Sequence, residues 1–223
     1  MNDFIRDVTG ISALADDLRR ELYLFVSSQS APVGREQAAQ ALGVPTHQAK
    51  FHLDRLEDAG LLESEYVRLT GRSGPGAGRP AKTYRRRGED ISVSLPGREY
   101  ALAGELMAAA IDEAVDQSTP VADALARAAR SRGEGIGIAA TGSGTPLQIA
   151  SETLSRFGYE PRLEDGQIVL ANCPFHTLAQ THTKLVCEMN HALLGGLCDQ
   201  VGGLKAVLEP ADGRCCVVLR DST

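Results

Sequence analysis

Five cysteines, at positions 173, 187, 198, 215 and 216, fall in the last quarter of a chain of 223 residues. Thiolates hold zinc ions and iron-sulphur clusters, while protonated thiols serve as small core residues. An odd number of cysteines with no export signal argues against a disulfide framework and for reduced thiols. Cys187 and Cys198 are 11 residues apart on a predicted helix, which puts them on one face but about 16 Å apart along the axis. They can serve one site only if the helix breaks, as Gly195-Gly196 would allow, and Cys198 is therefore read as a core residue. Cys215 and Cys216 are neighbours in a predicted strand, so one faces the site and the other faces away. Cys215, nearer the turn, is favoured for the site, with Cys216 left open. His191 follows Cys187 by one helical turn, which is good ligand spacing. His176 and His182, in the segment after Cys173, are further candidates.

A second set of residues could read nucleic acid. Thr46, His47, Gln48, Lys50 and Phe51 form a short polar stretch in which Gln48 suits a bidentate contact with adenine. Thr46 and Lys50 suit phosphates, which position without specifying. Between Arg68 and Arg87 lie seven basic residues and no acidic one. Arg72 and Arg79 could enter a narrow minor groove, and Lys82, Arg85, Arg86 and Arg87 could neutralise phosphates. The formal net charge of -6 does not oppose this, because residues 1–90 carry 13 cations and 13 carboxylates whereas residues 91–223 carry 10 and 16. The acidity belongs to the second part of the chain.

The elements that must position these groups follow from periodicity and punctuation. Leu14, Leu18, Leu22 and Phe25 predict a helix from a Ser12 cap. A short helix over 35–42 ends at Gly43, and a third opens at Pro45 with Ala49, Leu53 and Leu56 facing inward. The short Gly43-Val44 link makes these two a helix-turn-helix. Strands over 61–69 and 82–87 flank a Gly- and Pro-dense loop, and so predict a basic hairpin, or wing. A long helix over 97–117 is a candidate dimer interface, a second helix covers 119–130, and the glycine-rich segment 133–144 marks the expected internal boundary. Beyond it the pattern predicts a helix over 146–157, a hairpin turning at Asp165-Gly166, a helix over 185–200 and a second hairpin, both hairpins in one antiparallel sheet.

The fold class is therefore α+β. An N-terminal winged helix-turn-helix over 1–90 joins, through a helical linker and dimerisation region over 91–132, a C-terminal α+β cysteine-rich sensory domain over 133–223.

The stretch LGVPTHQAKFHLDRLEDAGLL with the later GRPAKTYRR resembles the winged-helix module of the arsenic-responsive repressor superfamily. The resemblance implies a homodimer on palindromic double-stranded DNA. NCPFHTLAQTHTKLVCEMNHALLGG with the later GRCCVVL resembles the C-terminal region of the suf-operon repressors, which regulate iron-sulphur-cluster assembly. That resemblance implies a cluster, of the [4Fe-4S] type, on Cys173, Cys187 and Cys215 or Cys216; helical spacing offers His191 for the remaining position, with His176, His182 or another group left open.

The expected function is a DNA-binding transcriptional regulator, a repressor, whose DNA affinity is set by that cluster. The alternative is a Cys3His zinc site that only fastens a domain sensing a small apolar ligand. No enzyme is expected: Gly142 to Pro146 lacks the lysine of a phosphate loop, and nothing orients Cys173 and His176 as a catalytic pair. No apolar run approaches the length that spans a bilayer, and the expected location is the cytoplasm.

Overall fold

Asp16 divides the helical pattern expected from Ser12 onward. In the computed structural model, which describes residues 3–67, 80–140 and 142–222, α1 runs over Asp3–Ala13 and α2 over Asp17–Ser27. The Asp16 carboxylate accepts the Arg19 backbone N–H at 2.9 Å, so Asp16 and not Ser12 caps the second helix. Then follow β1 (Val33–Gly34), α3 (Arg35–Leu42), α4 (Thr46–Asp58), β2 (Leu62–Val67) and β3 (Ala81–Arg86). Gly43 ends α3 at φ 67°, a left-handed conformation that side chains resist, and Pro45 opens α4. Leu22, Val26, Ala38, Leu53, Leu56 and Leu62 are buried in one core beneath these elements. β1, which was not expected, pairs with β3 and places Val33 opposite Tyr84. The sheet order is β1-β3-β2. Residues 68–79, expected as the hairpin tip and containing Arg72 and Arg79, lie outside the described residues.

The chain divides into Met1–Val93 and Ser94–Thr223. The second unit contains α5 (Tyr100–Gln117), α6 (Val121–Ile138), α7 (Pro146–Ser155), β4 (Pro161–Glu164), β5 (Gln167–Leu170), α8 (His176–Thr181), α9 (Thr183–Val201), β6 (Leu204–Leu208) and β7 (Val217–Asp221). Both expected hairpins share one antiparallel sheet of order β4-β5-β7-β6. Asp165 and Gly166, both at positive φ, form the tight turn between β4 and β5.

Two expectations about this half change. The segments assigned to a linker and to a separate sensory domain share one core, in which Leu102, Leu106 and Leu125 join Leu193, Leu197 and Leu219. The glycine-rich stretch does not begin a boundary, because α6 continues through Gly133, Gly135 and Gly137. A Cβ at Gly133 would stand 1.8 Å from the Leu193 carbonyl oxygen, and one at Gly196 would stand 2.1 Å from that of Arg130. The glycines let α6 and α9 meet backbone to backbone, which offsets their cost of about 1 kcal/mol each in a helix interior. For the same reason α9 runs unbroken through Gly195-Gly196.

Candidate nucleic-acid interface and thiol site

α4 buries Ala49, Leu53 and Leu56, and that 3.6-residue period turns Thr46, His47, Gln48, Lys50, Phe51 and Arg55 to solvent. Phe51 is 55% exposed, with the Arg55 guanidinium 5.5 Å from its ring centroid. An exposed aromatic stacked under a cation beside an exposed glutamine is a surface suited to base edges and sugar-phosphate.

The basic residues expected to meet phosphate fall into two groups. Arg85, Arg86 and Arg87 are exposed. Arg85 pairs with Glu63 across the β2–β3 ladder at 2.8 Å, and Arg87 reaches Glu89 at 3.4 Å. Such exposed pairs exchange readily with a phosphate. Lys82 is different, because its ammonium lies 2.9 Å from Asp54 and 2.5 Å from Glu57. Asp54 also accepts from the Tyr84 hydroxyl at 2.7 Å and from Lys50 at 2.8 Å, and Ser64 donates to Glu57 at 2.5 Å. Burial opposes the charge on Asp54, but the hydrogen bonds from Lys50, Lys82 and Tyr84 outweigh it and hold the carboxyl well below its usual range. Burial likewise opposes the Lys82 charge, and the two carboxylates raise its ammonium above the usual range. Lys82 thus fastens β3 to α4, and Lys50 shares its charge with Asp54. The Lys50–Asp54 pair was visible in the sequence as an i,i+4 spacing, whereas Tyr84 and Glu57 carried no such signal.

In the second unit, Cys173 follows a clasp built on Asn172. The Asn172 amide donates to the carbonyls of Gly97 at 2.9 Å and Gly158 at 2.5 Å, and its oxygen accepts from Arg98 at 2.5 Å. Arg98 also donates to the Cys173 carbonyl at 3.3 Å. Cys215 is tied to the end of β5 by its backbone N–H, 2.8 Å from the Leu170 carbonyl, and so arrives beside Cys173. Neither Cys215 nor Cys216 is in a strand, because β7 begins at Val217. The alternation that would have sent them to opposite faces therefore does not apply.

Four thiols form a row in which neighbours influence one another's protonation: Cys173 with Cys215, Cys215 with Cys216, and Cys216 with Cys187 on α9. The hydrogen bond with Cys215, then burial, push the Cys173 thiol far above its usual range. At Cys215 the bond with Cys173 lowers the value, but the bond with Cys216 and burial bring it up to about 11. Burial raises Cys187, partly offset by Cys216. Cys173, Cys187 and Cys215 are thus held toward the protonated form. The Asn190 amide, fully buried, donates to the Cys215 sulfur at 3.2 Å, and the Tyr159 hydroxyl donates to the Asn190 oxygen at 2.5 Å. Among the described residues no three His, Cys, Asp or Glu side chains converge as they would around a single metal ion.

The other sequence candidates lie apart from this row. His191 points its Nε2 at the Ala206 carbonyl, 3.2 Å away, and lines a concavity with Cys198. Helical spacing placed it near Cys187, but β6 claims its ring. His176 and His182 are exposed. Cys198 is buried, and burial pushes its thiol up to about 12. Sequence reasoning kept Cys216 only as an alternative to Cys215 and left Asn190 and Tyr159 out of the site, since tertiary packing brings them there.

Residues 14–65 match the family model of a helix-turn-helix domain, a span that takes in α2, α3, α4 and the start of β2. The N-terminal unit is thus a helix-turn-helix domain of the kind that DNA-binding transcription regulators carry. No curated protein matches the chain. Among the described residues no helix is long and apolar enough to cross a membrane.

Proposed function

We propose that the protein is a transcription repressor that binds a palindromic operator as a homodimer, with DNA affinity set by an iron-sulphur cluster on Cys173, Cys187, Cys215 and Cys216. In this reading α4 enters the major groove with Thr46, His47 and Gln48 against base edges, and the basic β2–β3 hairpin lies along the backbone as a wing. A single module covers too short a site to specify a genomic position, which is the case for a dimer.

The observation that carries the regulatory half is the thiol row. One metal ion needs its donors to meet at a point, with sulfurs about 2.3 Å from it, and among the described residues no three such side chains converge in that way. A cluster takes each cysteine on a different iron of a larger body, so four thiols from three separate segments suit it. Cys216 then takes the position that the sequence offered to His191. Bound there, the cluster would supply one-electron redox chemistry. The chain's own part is to hold the four sulfurs, to donate from Asn190 to Cys215, and to fix Asn190 through Tyr159. A structural zinc on Cys173, Cys187, Cys215 and His191 has the His191–Ala206 hydrogen bond against it.

Anaerobic purification with iron, sulphide and zinc analysis and a visible spectrum tests this reading. Brown protein with acid-labile sulphide, and DNA affinity that changes when the cluster is removed, is the expected result. A colourless protein with one zinc per chain would overturn the cluster reading and leave DNA binding standing.

A further inference from the structure

Away from the thiol row, α6, α9 and β6 enclose a concavity of about 400 Å³, a size that accommodates small ligands. We propose that it binds a small organic acid, with the carboxylate held by Arg127, Arg130 and Lys205 and the apolar body lying against Ala192, Gly195 and Ala206.

Charge placement is the first argument. Residues 94–223 carry 10 Lys/Arg and 16 Asp/Glu, yet the concavity is lined by three of those cations and by a single carboxylate, Asp199. Both arginines are already paired, Arg127 with Glu113 and Arg130 with Asp199 and, at 3.9 Å, with Glu134, so the charge that draws an anion to this hollow is that of Lys205. Pre-organisation is the second. Arg127 and Arg130 are one turn apart on α6 and face the same way. Glu113 takes the Nε and one Nη of Arg127, at 2.8 and 2.5 Å, and Asp199 takes one Nη of Arg130. Each guanidinium is thereby fixed with donors to spare, the arrangement in which arginine loses least entropy on gripping a carboxylate. Lys205 supplies the free charge: it is exposed, and the residue opposite it on β7 is Arg220, not a carboxylate.

The floor argues for the rest of the ligand. Ala192, Gly195 and Ala206 present small apolar surface with little to hydrogen-bond beyond the His191 ring, already engaged with the Ala206 carbonyl. That surface suits a flat hydrocarbon body and disfavours a sugar or a polyphosphate. The site stands independently of the thiol row, although α9 carries residues of both.

The test is calorimetric titration of the full chain with benzoate, phenylacetate and indole-3-acetate, each beside its primary amide. At least one carboxylate should bind saturably at one per chain, with its amide about tenfold or more weaker. Lys205→Glu, at an exposed position, should weaken the acid by about tenfold or more. Ala192→Phe, checked for folding by circular dichroism, should abolish binding by filling the floor. Failure of all three acids to bind at millimolar concentration would overturn the proposal, as would equal binding of acid and amide or an undisturbed affinity in Lys205→Glu. Cys173→Ser should bind the acid as the parent does, which separates failure of this site from failure of the cluster reading.

Discussion

The side-chain amide of Asn190 donates to the sulfur of Cys215 across 3.2 Å, and the Tyr159 hydroxyl, 2.5 Å from the Asn190 oxygen, decides which way that amide faces. Tyr159, Asn190 and Cys215 are all buried, so the relay has no water to fall back on. Removing the hydroxyl in Tyr159→Phe leaves a buried amide oxygen without its donor and should cost about 1–3 kcal/mol of unfolding free energy. Urea denaturation at neutral pH measures it. A loss within error of zero would mean that Asn190 finds another partner.

The Asp54 network should make the N-terminal unit acid-sensitive. Its carboxyl is held below the ordinary value of 3.8, so the unfolded chain binds the proton more readily. The stability it contributes is therefore complete above about pH 4 and is lost as pH falls through the depressed folded value. Asp54→Asn should be less stable than the parent at neutral pH, by about 1–2 kcal/mol because the group is part-exposed. The difference between the two should shrink as the solution is acidified. A difference that stays constant into strong acid would refute the ionic account.

Two arginine-or-lysine substitutions should separate DNA contact from structure. Arg85→Ala should weaken specific and nonspecific binding alike and reduce the salt slope by about one ion. Lys82→Ala should instead lower the melting temperature, because it leaves Asp54 and Glu57 facing each other without their shared cation. Gln48→Ala should reduce the preference for the operator over random duplex with little change in salt slope. Mobility-shift titrations at several salt concentrations read Gln48→Ala and Arg85→Ala, a thermal melt reads Lys82→Ala, and equal losses for Gln48→Ala and Arg85→Ala would remove the division of labour.

Metal content should follow the thiol row and not the cysteine count. Cys173→Ser, Cys187→Ser, Cys215→Ser and Cys216→Ser should each lose iron and sulphide, whereas Cys198→Ser and His191→Ala should keep them. Full loading of the Cys216→Ser protein would exclude Cys216 and reopen the fourth position.

Glycines two residues apart on α6 should respond in opposite ways. Gly133→Ala would drive a methyl into the Leu193 carbonyl, where 1.8 Å is available, and should destabilise by about 1–3 kcal/mol or more. At Gly135 nothing lies within 4 Å of the added carbon, so Gly135→Ala should stabilise by up to about 1 kcal/mol. Thermal melts of the two variants check both signs.

What the sequence determined by itself is what local chemistry decides. Gly43 needed a left-handed φ and Pro45 a helix start, so α3 and α4 and the turn between them were legible. So was the Asp165-Gly166 hairpin, and so was the outward face of α4, because three buried apolar residues at helical spacing leave the others no alternative. The differences between spacing and structure have one origin. Gly133 and Gly137 look like linker residues until a second helix lies against them. Cys215 and Cys216 look opposed until the strand proves to begin one residue later. His191 looks like a ligand until β6 offers it a carbonyl, and Lys82 looks like a phosphate contact until Asp54 and Glu57 arrive from α4. Each of these depends on a neighbour distant in sequence, and the free energy of such a meeting is set by the packing of whole elements, which no spacing along the chain encodes.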